Sequence, residues 1–201
     1  LLNAQEFVAI SNEKLINSGN LPRAFMDAKN TNTNWQSEVL VNNAPVISQN
    51  LSLQGGTEKT SFYLSLNYTS QKGIIISNFN RTYRVRFNLE HEVNKYIKIG
   101  NNITLSRQED GDQNNGNNSL GGAMAASLRL LPNVSPYNTA TASGFNINYP
   151  TANSMNPGAN LQSVDDNYNN VAFTLRYNKL YSDKYRIINN TFLEISPVKG
   201  L

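Results

Sequence analysis

The stretch Arg81 to Val93, RTYRVRFNLEHEV, sets Tyr83, Val85, Phe87 and Leu89 at one parity and Thr82, Arg84, Arg86, Asn88 and Glu90 at the other. Alternation with period two marks a strand with one apolar and one wet face. Two environments suit such a strand. A soluble sheet packs its apolar side on a protein core, whereas a membrane barrel turns that side to lipid and keeps the polar side within.

The same pattern recurs beyond Pro45. Residues 47–53 read as a first strand, ended by QGGTEKT. In the second, Phe62, Leu64, Leu66 and Tyr68 alternate with Tyr63, Ser65, Asn67 and Thr69, and QKGIIISNFN leads on into the stretch quoted above. HEVNK then turns the chain into a fourth strand, where Ile97, Ile99, Ile103 and Leu105 alternate with Lys98, Gly100, Asn102 and Thr104. A fifth strand is expected from Val171, Phe173, Leu175 and Tyr177 set against Ala172, Thr174, Arg176 and Asn178, and a sixth, after the turn SDK, over residues 185–195.

Two segments interrupt this pattern. In residues 1–45, Asn3 with Glu6 three positions on makes a capping box for a helix expected to bury Phe7, Ile10 and Leu15 and to stop at Gly19. A shorter helical turn opens at Thr33 and carries Trp35, which reads as a packing residue. Residues 107–166 are rich in Asn and Gly, with one helix around Met124, Leu128 and Leu131 ending before Pro132. A connection of this length is typically functional. The expected organisation is therefore a loop with short helices at 1–45, strands at 46–106, a long loop at 107–166 and two strands at 167–201.

Connections between these strands run short, medium, short, very long and short. Outer-membrane barrels combine short periplasmic turns with long external loops, and the alternation sorts the same way. Aromatic residues sort too: Phe62, Tyr63, Tyr96, Tyr181 and Tyr185 fall beside short turns, and Tyr68, Phe79, Tyr83 and Tyr168 at the opposite strand ends. Amphipathic rings collect in two such belts in a bilayer. No run of 18 apolar residues supplies a transmembrane helix. These residues alone leave open a barrel wall and a soluble β-sandwich, such as a glycan-binding or adhesin-like module, which would cover the apolar faces with a second sheet. An isolated slice of barrel, with two open edges, is expected to be insoluble on its own.

Charged residues make up 15% of the chain and the formal charge is +3, with no basic patch, which is a poor case for nucleic acid. The absence of cysteine excludes a disulfide framework and a thiolate zinc site. His91 is the single histidine and no G-x-S-x-G elbow accompanies it, so neither a His-based metal cluster nor a serine triad is assembled. EDGDQNNGNN, from Glu109, lacks the glycine at position 6 and the glutamate at position 12 of a calcium loop counted from Asp110, and the adjacent Asp165 and Asp166 do not straddle a cleft as glycosidase carboxylates do. No catalytic residue, metal ligand or cofactor is read from the chain. The contact candidates are Asn114, Asn117, Tyr137, Phe145 and Tyr149 in the long loop, since sugars are held by aromatic faces and planar amides.

The run LSLQGGTEKTSFYLSLNYTSQKGIIISNFNRTYRVRFNLEHEVNKYIKIGNNITLS, with NAQEF, TNWQSEVL, LRLLPNVSPYN, the Asn156-Pro157 pair and a terminal ISPVKGL, resembles the SusC/RagA group of TonB-dependent outer-membrane transporters. The resemblance implies an early part of an all-β transmembrane antiparallel barrel of about 22 strands, in the outer membrane of a Gram-negative cell. It also implies import of an oligosaccharide or peptide with a SusD-like surface lipoprotein, and a TonB complex reached through parts upstream of Leu1. A start at Leu1-Leu2 without Met or leader fits a chain cut from something longer. On this reading Tyr83 to Leu89 face membrane lipid; Asn67, Arg84, Arg86, Asn88, Glu90 and Arg176 face the lumen, with Glu90 available to pair the arginines.

Overall fold

The computed structural model describes residues 1–112, 122–147, 169–177 and 179–197. They form two units. One is a five-stranded antiparallel meander in the order β1 to β5: β1 (Val46–Gly56), β2 (Thr60–Lys72), β3 (Phe79–Asn94), β4 (Ile97–Asp112) and β5 (Leu180–Ile195). The other gathers the described parts of Leu1–Asn42, Ile74–Ser77 and Asp112–Leu180, with helices α1 (Ala4–Asn17), α2 (Trp35–Val39), α3 (Ala123–Arg129) and α4 (Val171–Tyr177).

Register in the sheet follows the alternation. Leu51, Leu66, Val85 and Leu105 lie opposite one another across β1 to β4, and so do Leu53, Leu64, Phe87 and Ile103. The neighbouring rows, Asn50, Asn67, Arg84, Ser106 and Ser52, Ser65, Arg86, Thr104, are wholly polar and fall on the other face. In β5, Lys184 reaches Asp110 on the polar face, and Phe192 lies over Gly100, where an added Cβ would stand 2.2 Å from the ring. Even positions of β5 therefore share the polar face, and Ile187 and Leu193 the apolar one. Leu51, Leu53, Leu66, Val85, Leu105, Ile187 and Leu193 all remain exposed, so among the described residues no second sheet covers them.

The apolar band has an edge. Tyr68 and Tyr83 meet at 5.1 Å, and at that end Arg107 pairs with Asp183 at 2.7 Å and Glu109 at 2.9 Å, while Arg81 adds a looser contact to Glu109 at 3.6 Å. Within the band, Asn101 donates to Asn189 at 2.8 Å and to Thr191 at 2.7 Å, so the amide finds partners on its own face.

Four expectations change. The fourth strand runs on to Asp112, so the long connection starts later than 107. Residues 171–177 are helix α4, not a strand. SDK is no turn: β5 passes through it, and a single strand follows the long connection where two were expected. Tyr181 and Tyr185 consequently sit at the Tyr68 end of the sheet, Tyr181 being 6.1 Å from Phe79, rather than beside a short turn. Short and long connections still alternate, through residues 57–59, 73–78, 95–96 and 113–179.

In the helical unit Asn3 accepts from Glu6 N and Glu6 accepts from Asn3 N, completing the capping box of α1. Ala4 is its buried residue; Phe7 and Leu15 are half-buried and Ile10 is exposed, contrary to expectation. The core forms around Trp35 and Val39 from α2, Ala123, Ala126, Leu130 and Leu131 at α3, and Val171, Ala172 and Leu175 of α4. Trp35 Nε1 donates to Leu131 O at 2.9 Å. The tip Ile74–Ser77 is stitched in by Val41 N to Ile74 O and Ile76 N to Val39 O, both 2.9 Å.

A smaller turn in this unit carries a titratable group. Asp27 accepts from Thr31 Oγ1 at 2.6 Å and Thr31 N at 2.7 Å, which hold its carboxyl below the usual carboxylate range. A depressed folded value stabilises the turn at neutral pH; the contribution fades as pH falls below about 4 and through the lower folded value. The protection factor of the Thr31 amide in the full-length protein is expected to stay level down to about pH 5 and to drop below 4. A level profile down to pH 2 would contradict it.

Candidate functional site

Sequence candidates Tyr137, Phe145 and Arg176 come together in one patch of the helical unit. Tyr137 and Phe145 face each other across an antiparallel bridge, closed by Asn138 N to Gly144 O at 3.0 Å. Gly144 takes φ +74° at this turn, a conformation that disfavours a side chain. Phe145 is the centre: Tyr137 lies 5.3 Å away, Phe173 5.6 Å and Tyr177 5.8 Å, the last two edge-on. Phe173 and Tyr177, one helical turn apart on α4, stack at 4.6 Å.

Asn170 positions both halves of this patch. It is fully buried, and its Nδ2 donates to Pro136 O at 2.8 Å and Asn146 O at 3.0 Å, which clamps the Tyr137 to Phe145 turn. Its Oδ1 accepts from Phe173 N at 3.2 Å and its carbonyl from Thr174 N at 3.0 Å, the geometry of a helix N-cap. That cap explains why Val171 to Tyr177 coil up despite a strand-like alternation.

Polar groups border the rings. Arg176 spans Ala172 O at 3.0 Å and Glu38 Oε2 at 3.4 Å, with its guanidinium 5.8 Å from the Phe145 ring centre. The Tyr137 hydroxyl donates to the same Glu38 oxygen. Burial, and then that bond, raise the Tyr137 phenol above its ordinary value, so it stays a neutral donor at physiological pH. Tyr137 is 45% and Tyr177 56% exposed, while Phe145 and Phe173 support them from within. Open rings beside an Arg–Glu pair suit stacking against a sugar or peptide with hydrogen bonds at the edge. Sequence reasoning missed Glu38, Asn170, Phe173 and Tyr177 as members; the signal available was Asn170 three residues before Phe173. Arg176 sits on a helix here, so its expected place on the lumen-facing side of a fifth strand is withdrawn.

The other candidates share the polar sheet face. Asn67 lies opposite Arg84, and Asn88 and Glu90 follow Arg86 at the same parity of β3. Glu90 is taken by Lys98 at 2.7 Å, so it does not pair the arginines as expected. Asn114, Asn117 and Tyr149 lie outside the described residues, as do Asp165 and Asp166.

No family profile matches the chain. Among curated proteins it is 26% identical over 130 residues to TonB-dependent receptor P3 of Formosa agariphila, covering 60% of this chain and 13% of that one. TonB-dependent receptor P26 of the same organism is 30% identical over 139 residues, covering 69% of this chain and 13% of the relative. Among solved structures, the RagAB peptide transporter aligns over 98% of this chain and 21% of its own, with TM-score 0.63 and 19% identity. The RagAB peptide importer in its closed-closed state aligns over 88% and 18%, with TM-score 0.61 and 20% identity. An antiparallel meander with an uncovered apolar face, matching these chains, is a segment of β-barrel wall. The chain is similar to segments of TonB-dependent receptors and spans about an eighth of the length of the curated relatives it matches.

Proposed function

We propose that this chain is part of an outer-membrane, TonB-dependent transporter of a Gram-negative bacterium that imports an oligosaccharide or peptide with a SusD-like surface lipoprotein. The observation that carries the reading is the sheet itself: across β1 to β4 one face is apolar and, among the described residues, uncovered, the other polar, and β5 extends the same antiparallel meander with a more mixed pattern. The apolar face meets lipid, ending at the Tyr68–Tyr83 belt and its Arg107 ion pairs, and Asn67, Arg84, Arg86, Asn88 and Glu90 line the lumen. The helical unit is built from the chain before β1 and the longer connections, which supports reading the Tyr137–Tyr177 patch as part of the external loops, for contact with cargo or lid. Transport then needs no covalent chemistry from these residues; the TonB complex drives it through other parts of the polypeptide.

Face assignment is tested in the full-length protein. Val85→Arg places a charge on the lipid side just inside the Tyr68–Tyr83 belt and is expected to cost about 1 kcal/mol or more of stability in bilayers, since the penalty falls from about 2–4 kcal/mol at the midplane toward the interfaces, with reduced yield in the outer-membrane fraction. Ser52→Arg, on the polar face, is expected to be tolerated. Equal tolerance of both changes would defeat the assignment. Protease added to intact cells is expected to cut within residues 12–32 and to spare 57–59; the reverse would invert the topology.

A further inference from the structure

The polar face carries its charges unevenly. Toward one end Glu90 is held by Lys98 at 2.7 Å; toward the other Asp110 is held by Lys184 at 3.1 Å. Between them the side chains of Arg84 and Arg86 make no ion pair or hydrogen bond with any described residue, and both are exposed. Arg186 shares their face, as the parity of Lys184 and Phe192 shows, and is likewise exposed and unpaired among the described residues. Around Arg84 and Arg86 stand short hydroxyls and amides: Asn67 and Ser106 flank the first, Ser65 and Thr104 the second. None of these competes for a guanidinium as a carboxylate would.

We infer that Arg84 and Arg86 form a recognition stripe for cargo bearing carboxylates, namely an extended peptide with acidic side chains at alternate positions. Guanidinium forks match carboxylates bidentately. Residues two apart on a strand project to the same side about 6.8 Å apart. Acidic residues two apart in an extended peptide have the same repeat, so two carboxylates meet Arg84 and Arg86 in register without strain. Arg186, on β5, adds a third positive charge to that side of the sheet and favours acidic over neutral cargo. The inference rests on the polar face lining the lumen, as proposed above, and it goes further by giving that lumen a charge preference.

The test uses the purified full-length transporter and two dye-labelled hexapeptides, one with Glu at the second and fourth positions and one with Gln there. Wild type is expected to bind the Glu peptide at least tenfold more tightly, and R84Q/R86Q to lose that advantage while its affinity for the Gln peptide stays put. Equal binding of the two peptides by wild type, or binding of neither, would overturn the inference. An unchanged preference in R84Q/R86Q would overturn it as well; if the melting temperature of the peptide-free variant also falls, the guanidiniums hold another part of the same polypeptide instead. None of these failures touches the face assignment, which the Val85→Arg and Ser52→Arg pair decides separately.

Discussion

Trp35→Ala in the full-length protein is expected to lower the opening free energy of the helical unit by about 3–5 kcal/mol, the usual range for emptying a large aromatic site. Trp35 is 2% exposed and packs within the cluster that also holds Val39, Leu130, Leu131 and Val134. Its loss leaves a cavity and also frees Leu131 O, which Nε1 otherwise satisfies. Hydrogen exchange reads the change: amides of residues 35–41 and 123–134 should lose protection, while those of β2 and β3 keep theirs, because the core around Trp35 lies wholly within the helical unit. Unchanged protection in 123–134 would mean that α2 and α3 do not depend on this ring. Trp35→Phe should recover most of the packing but not the hydrogen bond.

Asn170→Ala is the second large effect, about 2–4 kcal/mol in the same readout. The side chain does two jobs that share no partner: it caps α4 through Phe173 N, and it clamps the Tyr137–Phe145 turn through Pro136 O and Asn146 O. Serine at this position keeps a good cap yet is too short to reach both carbonyls. Asn170→Ser should therefore preserve protection in α4 and lose it in residues 136–146. If alanine and serine behave alike, the cap contributes little and the clamp is the whole effect. In either variant Tyr137 and Tyr177 are no longer held around Phe145, so cargo or lid contacts made through this patch should weaken alongside the lost protection.

Much of the wall was legible from residues. Alternation at Tyr83, Val85, Phe87 and Leu89 and its counterparts in β2 and β4 sets strand identity, facing and register at once, because a slip of one residue would exchange every apolar side chain for a polar one. Asn3 and Glu6 announced the start of α1 for an equally local reason: both partners of the capping box lie within one turn.

Residues 171–177 show where local information ended. Val171, Phe173, Leu175 and Tyr177 satisfy period two, yet Phe173 and Tyr177 also satisfy the i, i+4 spacing of a helix, and seven residues are too few to separate the two periods. The choice fell to Asn170, whose amide reaches carbonyls 24 and 34 residues away, and to the burial of Ala172 beside Val171 and Phe173, which a strand would have pointed to the opposite side. The same holds for the patch: Tyr137 and Phe145 were candidates by type alone, but Glu38, 99 residues before Tyr137, joined them only through folding. By itself the sequence determined the first four strands, their wet and apolar faces and the capped first helix, since each depends on neighbours a few residues apart. Tertiary structure decided α4, the single strand after the long connection and the assembly of the aromatic patch, because those depend on hydrogen bonds and burial between segments far apart in the chain.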